Sequence, residues 1–176
     1  GDYSVDVRES EAWMSVLDKI EGTEAEFDSV FFIAGYARAI DPTKITQEDI
    51  DKHIYGNVGY VVDGLKRIPM VANATVITIG SQWSIKSSDG ELRLYAEAKR
   101  SLREEMSKYG SESPQQSVVH VMVPPMDTPQ RSLVWSDFGA KPEETSNVTV
   151  SDPRDVAKVV VELIGNKYQG ETLEIT

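Results

Sequence analysis

The sequence predicts one α/β domain built on a largely parallel sheet. Two observations carry the prediction. Short apolar runs closed by small residues (Ser29-Val30-Phe31-Phe32-Ile33-Ala34-Gly35, Ala74-Thr75-Val76-Ile77-Thr78-Ile79-Gly80 and Val118-Val119-His120-Val121-Met122-Val123) read as buried strands, and segments of helical periodicity alternate with them. No internal repeat, low-complexity tract or interdomain linker interrupts residues 1–176, so the chain reads as a single domain.

Taken in order, Tyr3-Ser4-Val5-Asp6-Val7 alternates as a short strand would. Ser10 is the expected cap of a helix with Trp13, Val16, Leu17 and Ile20 on one face, ended by Gly22. After the first buried strand, Thr46-Gln47-Glu48-Asp49 supplies an N-cap and an acidic first turn. Ile50, Ile54, Val58, Val61, Leu65 and Ile68 then continue a long helix, bent near Gly56 and Gly59. The polar stretch Ser81 to Gly90 is a loop into a helix whose stripe is Tyr95, Ala98, Leu102, Met106 and Tyr109. Pro124-Pro125 stops the third buried strand, and residues 126–150 are turn-rich, the place for a substrate loop over a site. Asp152-Pro153 caps a helix from Arg154 to Ile164 that Gly165 ends, and Thr172 to Ile175 forms the last strand.

Composition narrows the function. The chain has no cysteine, which removes disulfides, thiolate metal sites and cysteine nucleophiles together. No apolar run approaches the ~20 residues that span a bilayer, and the polar, acidic start is no signal peptide, so a cytoplasmic protein without membrane partners is expected. The charge, 18 − 29 = −11, is spread along the chain and speaks against nucleic acid. The two histidines, His53 and His120, read as core or surface residues, and no metal site is expected. No spacing singles out a carboxylate pair.

The chemical signal is Tyr95-Ala96-Glu97-Ala98-Lys99. On a helix Tyr95 and Lys99 lie one turn apart on one face. A tyrosine ionises near pH ~10, and an adjacent cation lowers that value by favouring the phenolate. Such a pair can move a proton on or off an alcohol or ketone oxygen. The plainer alternative is a core tyrosine beside a solvated lysine.

Four landmarks in order extend the signal: Asp6-Val7 at the end of the first alternating run, Ala34-Gly35 at the end of the first buried run, Asn57 on the long helix, and Ser81 at the end of the second buried run, fourteen residues before Tyr95. Together with Tyr95 and Lys99 this order resembles the short-chain dehydrogenase/reductase family, from its third strand to near its last. The resemblance implies a Rossmann-like, doubly wound sheet. It also implies an NAD(P)-dependent oxidoreductase that transfers hydride between a nicotinamide and a carbonyl or alcohol. In that role Tyr95 is the general acid/base, and Lys99 lowers its pKa and contacts the nicotinamide ribose. Ser81 donates to the substrate oxygen, and Asn57 positions a water in the proton relay. Asp6, Val7, Ala34, Gly35 and Thr128 become cofactor contacts, with Thr128 one residue early for the family's usual contact. Trp83 and Trp135 flank the site and could touch substrate, while Trp13 is core.

The chain departs from the family where the dinucleotide binds. No glycine-rich turn is present, and the chain begins at what would be the third strand, so the first βαβ unit is missing. Without its neighbours, Tyr3 to Val7 has nothing to pair with. Either the chain is a fragment, or it is a natural reduced domain completed by another chain or unable to bind a dinucleotide. Phe32-Ile33 replace two family asparagines, and Pro124-Pro125 a Pro-Gly. The alternative function is therefore a non-catalytic binding or assembly module. In either case a homodimer or homotetramer is expected, through the helices that start near Ile50 and Glu91. NAD and NADP are not distinguished, because the residues that choose between them follow the missing second strand.

Overall fold

The structure, a computed structural model, describes residues 3–85, 90–126, 128–137 and 151–175, with the backbone alone at Gln130 and Trp135. Four parallel strands lie in the order β1-β2-β3-β4: β1 (Phe27–Phe32), β2 (Met70–Ser81), β3 (Ser117–Val123) and β4 (Gln169–Glu174). The register runs from Thr75 opposite Ser117 to Ser81 opposite Val123, so β2 and β3 end level. Every residue of β3 is buried, as a strand covered on both faces requires.

Helices cover both faces. On one, α1 (Ser10–Glu21), α3 (Tyr60–Arg67) and α4 (Arg93–Glu112) close a core of Phe32, Tyr60, Val61, Val76, Leu102 and Met106. On the other, Val156 and Val160 of α6 (Pro153–Glu162) pack on Ile77, Ile79, Val119 and Val121. The alternation of Val76 with Ile77, and of Val118 with Val119, between the two cores follows the strand period of two. The expected doubly wound, Rossmann-like sheet is what the chain forms.

Local chemistry explains most boundaries. Thr46 and Asp49 make a reciprocal capping box at the start of α2 (Gln47–Ile54). Asp152 accepts from Arg154 N at 2.8 Å and Pro153 opens α6. The bend expected near Gly56 and Gly59 is a π-helical turn, Tyr55–Gly59, between α2 and α3. A Cβ on Gly59 would lie 2.4 Å from the Tyr55 ring, so the widened turn needs glycine there.

Several expectations are corrected. Tyr3 to Val7 forms no strand; residues 3–6 are irregular and Val7 and Arg8 make a turn, since among the described residues β1 pairs with β2 and no strand offers Tyr3 to Val7 a partner. Glu9, not Ser10, occupies the first cap, without a side-chain hydrogen bond. Residues 126–150 are not wholly irregular, since α5 (Pro129–Asp137) lies among them; residues 127 and 138–150 fall outside the described residues.

The backbones of α4 and β4 approach closely through two glycines. A Cβ on Gly110 would sit 2.3 Å from Gly170 N, and Gly170 itself holds φ +84°. Backbone cannot swing aside as a side chain can, so Gly110→Ala is expected to cost about 2 kcal/mol in urea unfolding despite alanine's better helix propensity. Gly90→Ala, which meets nothing within 4 Å, should stay within about 0.5 kcal/mol.

Candidate active site

Parallel strands present their carboxyl ends together, and there the expected residues gather. A cavity of about 140 Å³ opens at the ends of β2 and β3. Ser81, Trp83 and Tyr95 line it, together with Thr128, Arg131 and Val134. A cavity of that size takes a ligand about as large as benzene.

Ser81 ends β2, is nearly buried, and its hydroxyl stands near enough to the phenol of Tyr95 to favour the phenolate. Its Oγ also accepts from Trp83 N at 3.3 Å, fixing the 3-10 turn Gln82–Ser84 that brings Trp83 to the cavity. Tyr95 is half-buried on the first turns of α4. Burial pushes its phenol up from the ordinary value, and the Ser81 hydroxyl works in the opposite direction.

Lys99 follows one turn later but does not reach the phenol oxygen. Its Nζ lies 5.9 Å from the centroid of the Tyr95 ring and donates to Ile79 O at 3.0 Å. The expected lowering of the Tyr95 pKa by Lys99 is therefore not present in this state; burial decides the direction. Lys99 is itself only 4% exposed, and burial lowers its pKa to about 8.

Asn57 sits fully buried in the π-helical turn. Its Nδ2 donates to Tyr36 O and His53 O, each at 2.8 Å, and its Oδ1 accepts from Tyr36 N at 3.2 Å. The amide thus braces the chain leaving β1, a different task from positioning a water. Gly35 lies between: a Cβ there would meet Asn57 Oδ1 and Lys99 Nζ, each at 3.0 Å. Ala34 contributes its carbonyl, which accepts from Tyr60 OH at 2.6 Å. Tyr60 also packs edge-on against Phe32, so an aromatic supports this strand end where the sequence reading saw only lost asparagines.

The remaining candidates divide. Asp6 is paired with Arg8, which holds its carboxyl down to about 2, and the Arg8 guanidinium stacks on Tyr36 at 4.9 Å. Val7 packs against the core as an apolar residue. Thr128 both lines the cavity and caps α5, its Oγ1 accepting from Arg131 N at 3.3 Å. The side chain of Trp135 lies outside the described residues.

No family model matches the sequence, and no curated protein matches it. Solved structures do. A short-chain dehydrogenase family protein from Francisella tularensis subsp. tularensis SCHU S4 superposes with a TM-score of 0.81 at 20% identity, over 98% of this chain and 78% of that one. The chain has the short-chain dehydrogenase fold. A short-chain dehydrogenase from Burkholderia cenocepacia J2315, in complex with NADP, gives 0.80 at 20% identity over 98% and 73%. A blue fluorescent protein from a metagenomic library, in complex with NADPH, gives 0.80 at 17% over 97% and 72%.

Within this short-chain dehydrogenase fold, the sequence reading missed the wall built by α5. Thr128-Pro129 repeats the cap-then-proline pattern of Asp152-Pro153 and could have located it. The far end of α5 is clasped by Arg38, whose Nε and Nη2 reach both oxygens of Asp137 at 2.6 and 2.5 Å, while Ala39 N adds a third bond at 3.3 Å. Arg38 in turn holds the Asp137 carboxyl below the usual carboxylate range.

Lys99 makes a pH prediction. Its folded pKa is depressed, so below about 8 the fold carries a buried charge, and this cost is relieved as pH rises toward the unfolded value of ~10.4. Between pH 7.5 and 9.5, urea unfolding should show the wild type gaining about 2 kcal/mol relative to Lys99→Met. A constant difference would mean that Lys99 titrates normally.

Proposed function

We propose that this protein is an NAD(P)-dependent oxidoreductase acting on a small carbonyl or alcohol, with Tyr95 as its general acid/base. The observation that carries the reading is the convergence of Ser81 and Tyr95 on one cavity at the carboxyl ends of two parallel strands, with the buried Lys99 ammonium beneath the tyrosine ring.

The residues present fit the reactive end of a nicotinamide cofactor. The Lys99 ammonium has three donors, and Ile79 O engages one of them at the floor of the site, which suits contact with a ribose. When bound, the nicotinamide supplies or accepts the hydride. A tyrosine held protonated by burial is prepared to give its proton to a carbonyl oxygen, so the site as built favours reduction. Ser81 donates to the same oxygen and fixes its position. Once the proton has left Tyr95, a swing of the Lys99 ammonium from Ile79 O toward the phenol oxygen would stabilise the phenolate, and Asn57 keeps the Gly35-Tyr36 backbone in place beside both. Trp83 and Val134 shield the reacting atoms from water. Assembly as a homodimer or homotetramer through α2 and α4 belongs to this proposal, and Ile54, 53% exposed on α2, is the apolar residue it would cover.

One observation favours a second reading, a non-catalytic member of the fold. Asp6, expected as a cofactor contact, is engaged by Arg8. Titration with NADH and NADPH, followed by nicotinamide fluorescence, separates the two. Micromolar binding supports the oxidoreductase, and no binding by the intact protein supports the module. In the oxidoreductase, Tyr95→Phe should lower carbonyl reduction at least ~100-fold while cofactor affinity is retained. Unchanged turnover in that variant would sink the proposed role.

A further inference from the structure

The described lining of the cavity is sorted by charge. Twelve residues line it; Arg131 is the cation, and no carboxylate is among them, in a chain of net charge −11. The wall around Arg131 is apolar, with Val134 on its own helix and Val123 and Met126 from the chain leaving β3. Ser81 and Tyr95, also in the lining, are the hydroxyls placed on a carbonyl oxygen in the reading above.

We infer that Arg131 selects a short oxo acid, binding its carboxylate in the cavity it shares with the Ser81–Tyr95 pair. The inference rests on the oxidoreductase reading for the position of the carbonyl, and it adds the class of substrate. Four features support it. A guanidinium has five donors in a planar fork that matches a carboxylate, so it can hold a ligand alongside a protein partner. The half-buried setting excludes much of the water that would otherwise screen the pair. The cavity, about 140 Å³, suits a part of the ligand of roughly six to eight heavy atoms, which favours a carbonyl and a carboxylate within a few bonds of each other. The helix that carries Arg131 is fixed at both ends, by the Thr128 cap and by the Arg38–Asp137 clasp, so the fork is presented from a supported element.

The test compares each oxo acid with a neutral ligand of the same size: pyruvate with butanedione, and acetoacetate with pentane-2,4-dione. Binding to the wild type, Arg131→Gln and Arg131→Lys is read from the fluorescence of Trp83 in a Trp13→Phe, Trp135→Phe background whose fold is checked by circular dichroism. The wild type should prefer the acids about ten- to hundredfold. Arg131→Gln should lose that preference while keeping its affinity for the diones, and Arg131→Lys should keep part of it. Equal binding of acids and diones, binding of neither, or an unchanged preference in Arg131→Gln would overturn the inference. So would a loss of NADH or NADPH affinity in Arg131→Gln with the acid preference intact, which would assign the fork to the dinucleotide phosphates. Tyr95→Phe distinguishes the two levels. An acid preference in binding that survives this substitution without turnover supports Arg131 independently of catalysis, whereas turnover of neutral ketones alone leaves the oxidoreductase standing and removes the oxo acid.

Discussion

Much of the site depends on one buried amide. Asn57 takes both backbone groups of Tyr36 and the carbonyl of His53, so a single side chain ties the strand end after β1 to the π-helical turn in the long helix. The tie is possible because that turn breaks the ordinary spacing of the helix ladder and faces Asn57 into the protein. An unpaired amide in such a place would cost about 1–3 kcal/mol, which makes the arrangement close to all-or-none. Gly35 is held within contact of the same amide and of Lys99, so the two cannot be moved independently.

Around that brace, burial sets the electrostatics. Tyr95 and Lys99 are both driven toward their neutral forms by desolvation, the phenol up and the ammonium down. Two groups whose pKa values converge this way exchange charge at a smaller cost than the same pair in water. His120 shows the same force: its Nδ1 meets Thr78 Oγ1 at 2.8 Å, and burial, joined by the charges of Lys99 and Arg103, lowers its pKa to about 3. The core beneath α4 thus draws its titratable groups toward their neutral forms, although Lys99 keeps its charge below about pH 8.

The sheet and most helices were legible because their signals are local. A capping threonine, a proline after aspartate and a run of β-branched residues act over a few positions. The family resemblance pointed to Ser81 as the partner of Tyr95, and the strand end and the helix start that carry them are each locally specified. What the sequence hid was tertiary. The alternation of Tyr3 to Val7 is that of a strand, but a strand exists only with a neighbour. The i to i+4 spacing put Lys99 on the right face, yet whether its tip meets the phenol oxygen or Ile79 O depends on what else fills the core. The role of Asn57 turned on a helix irregularity that no periodicity announces, and α5 hid in a stretch whose turn residues mask its start.

The contact of Gly110 with Gly170 has a mechanical meaning. It lies fifteen residues along α4 from Tyr95, about 22 Å at the rise of a helix. With two backbones touching, the helix has a hard stop at its far end and cannot slide along the sheet. The reach of the phenol toward Ser81 is therefore calibrated from outside the cavity, as a gauge block sets the travel of a tool. Natural variation at the end of α4 would tune the geometry of the hydroxyl pair without touching a residue that meets the ligand.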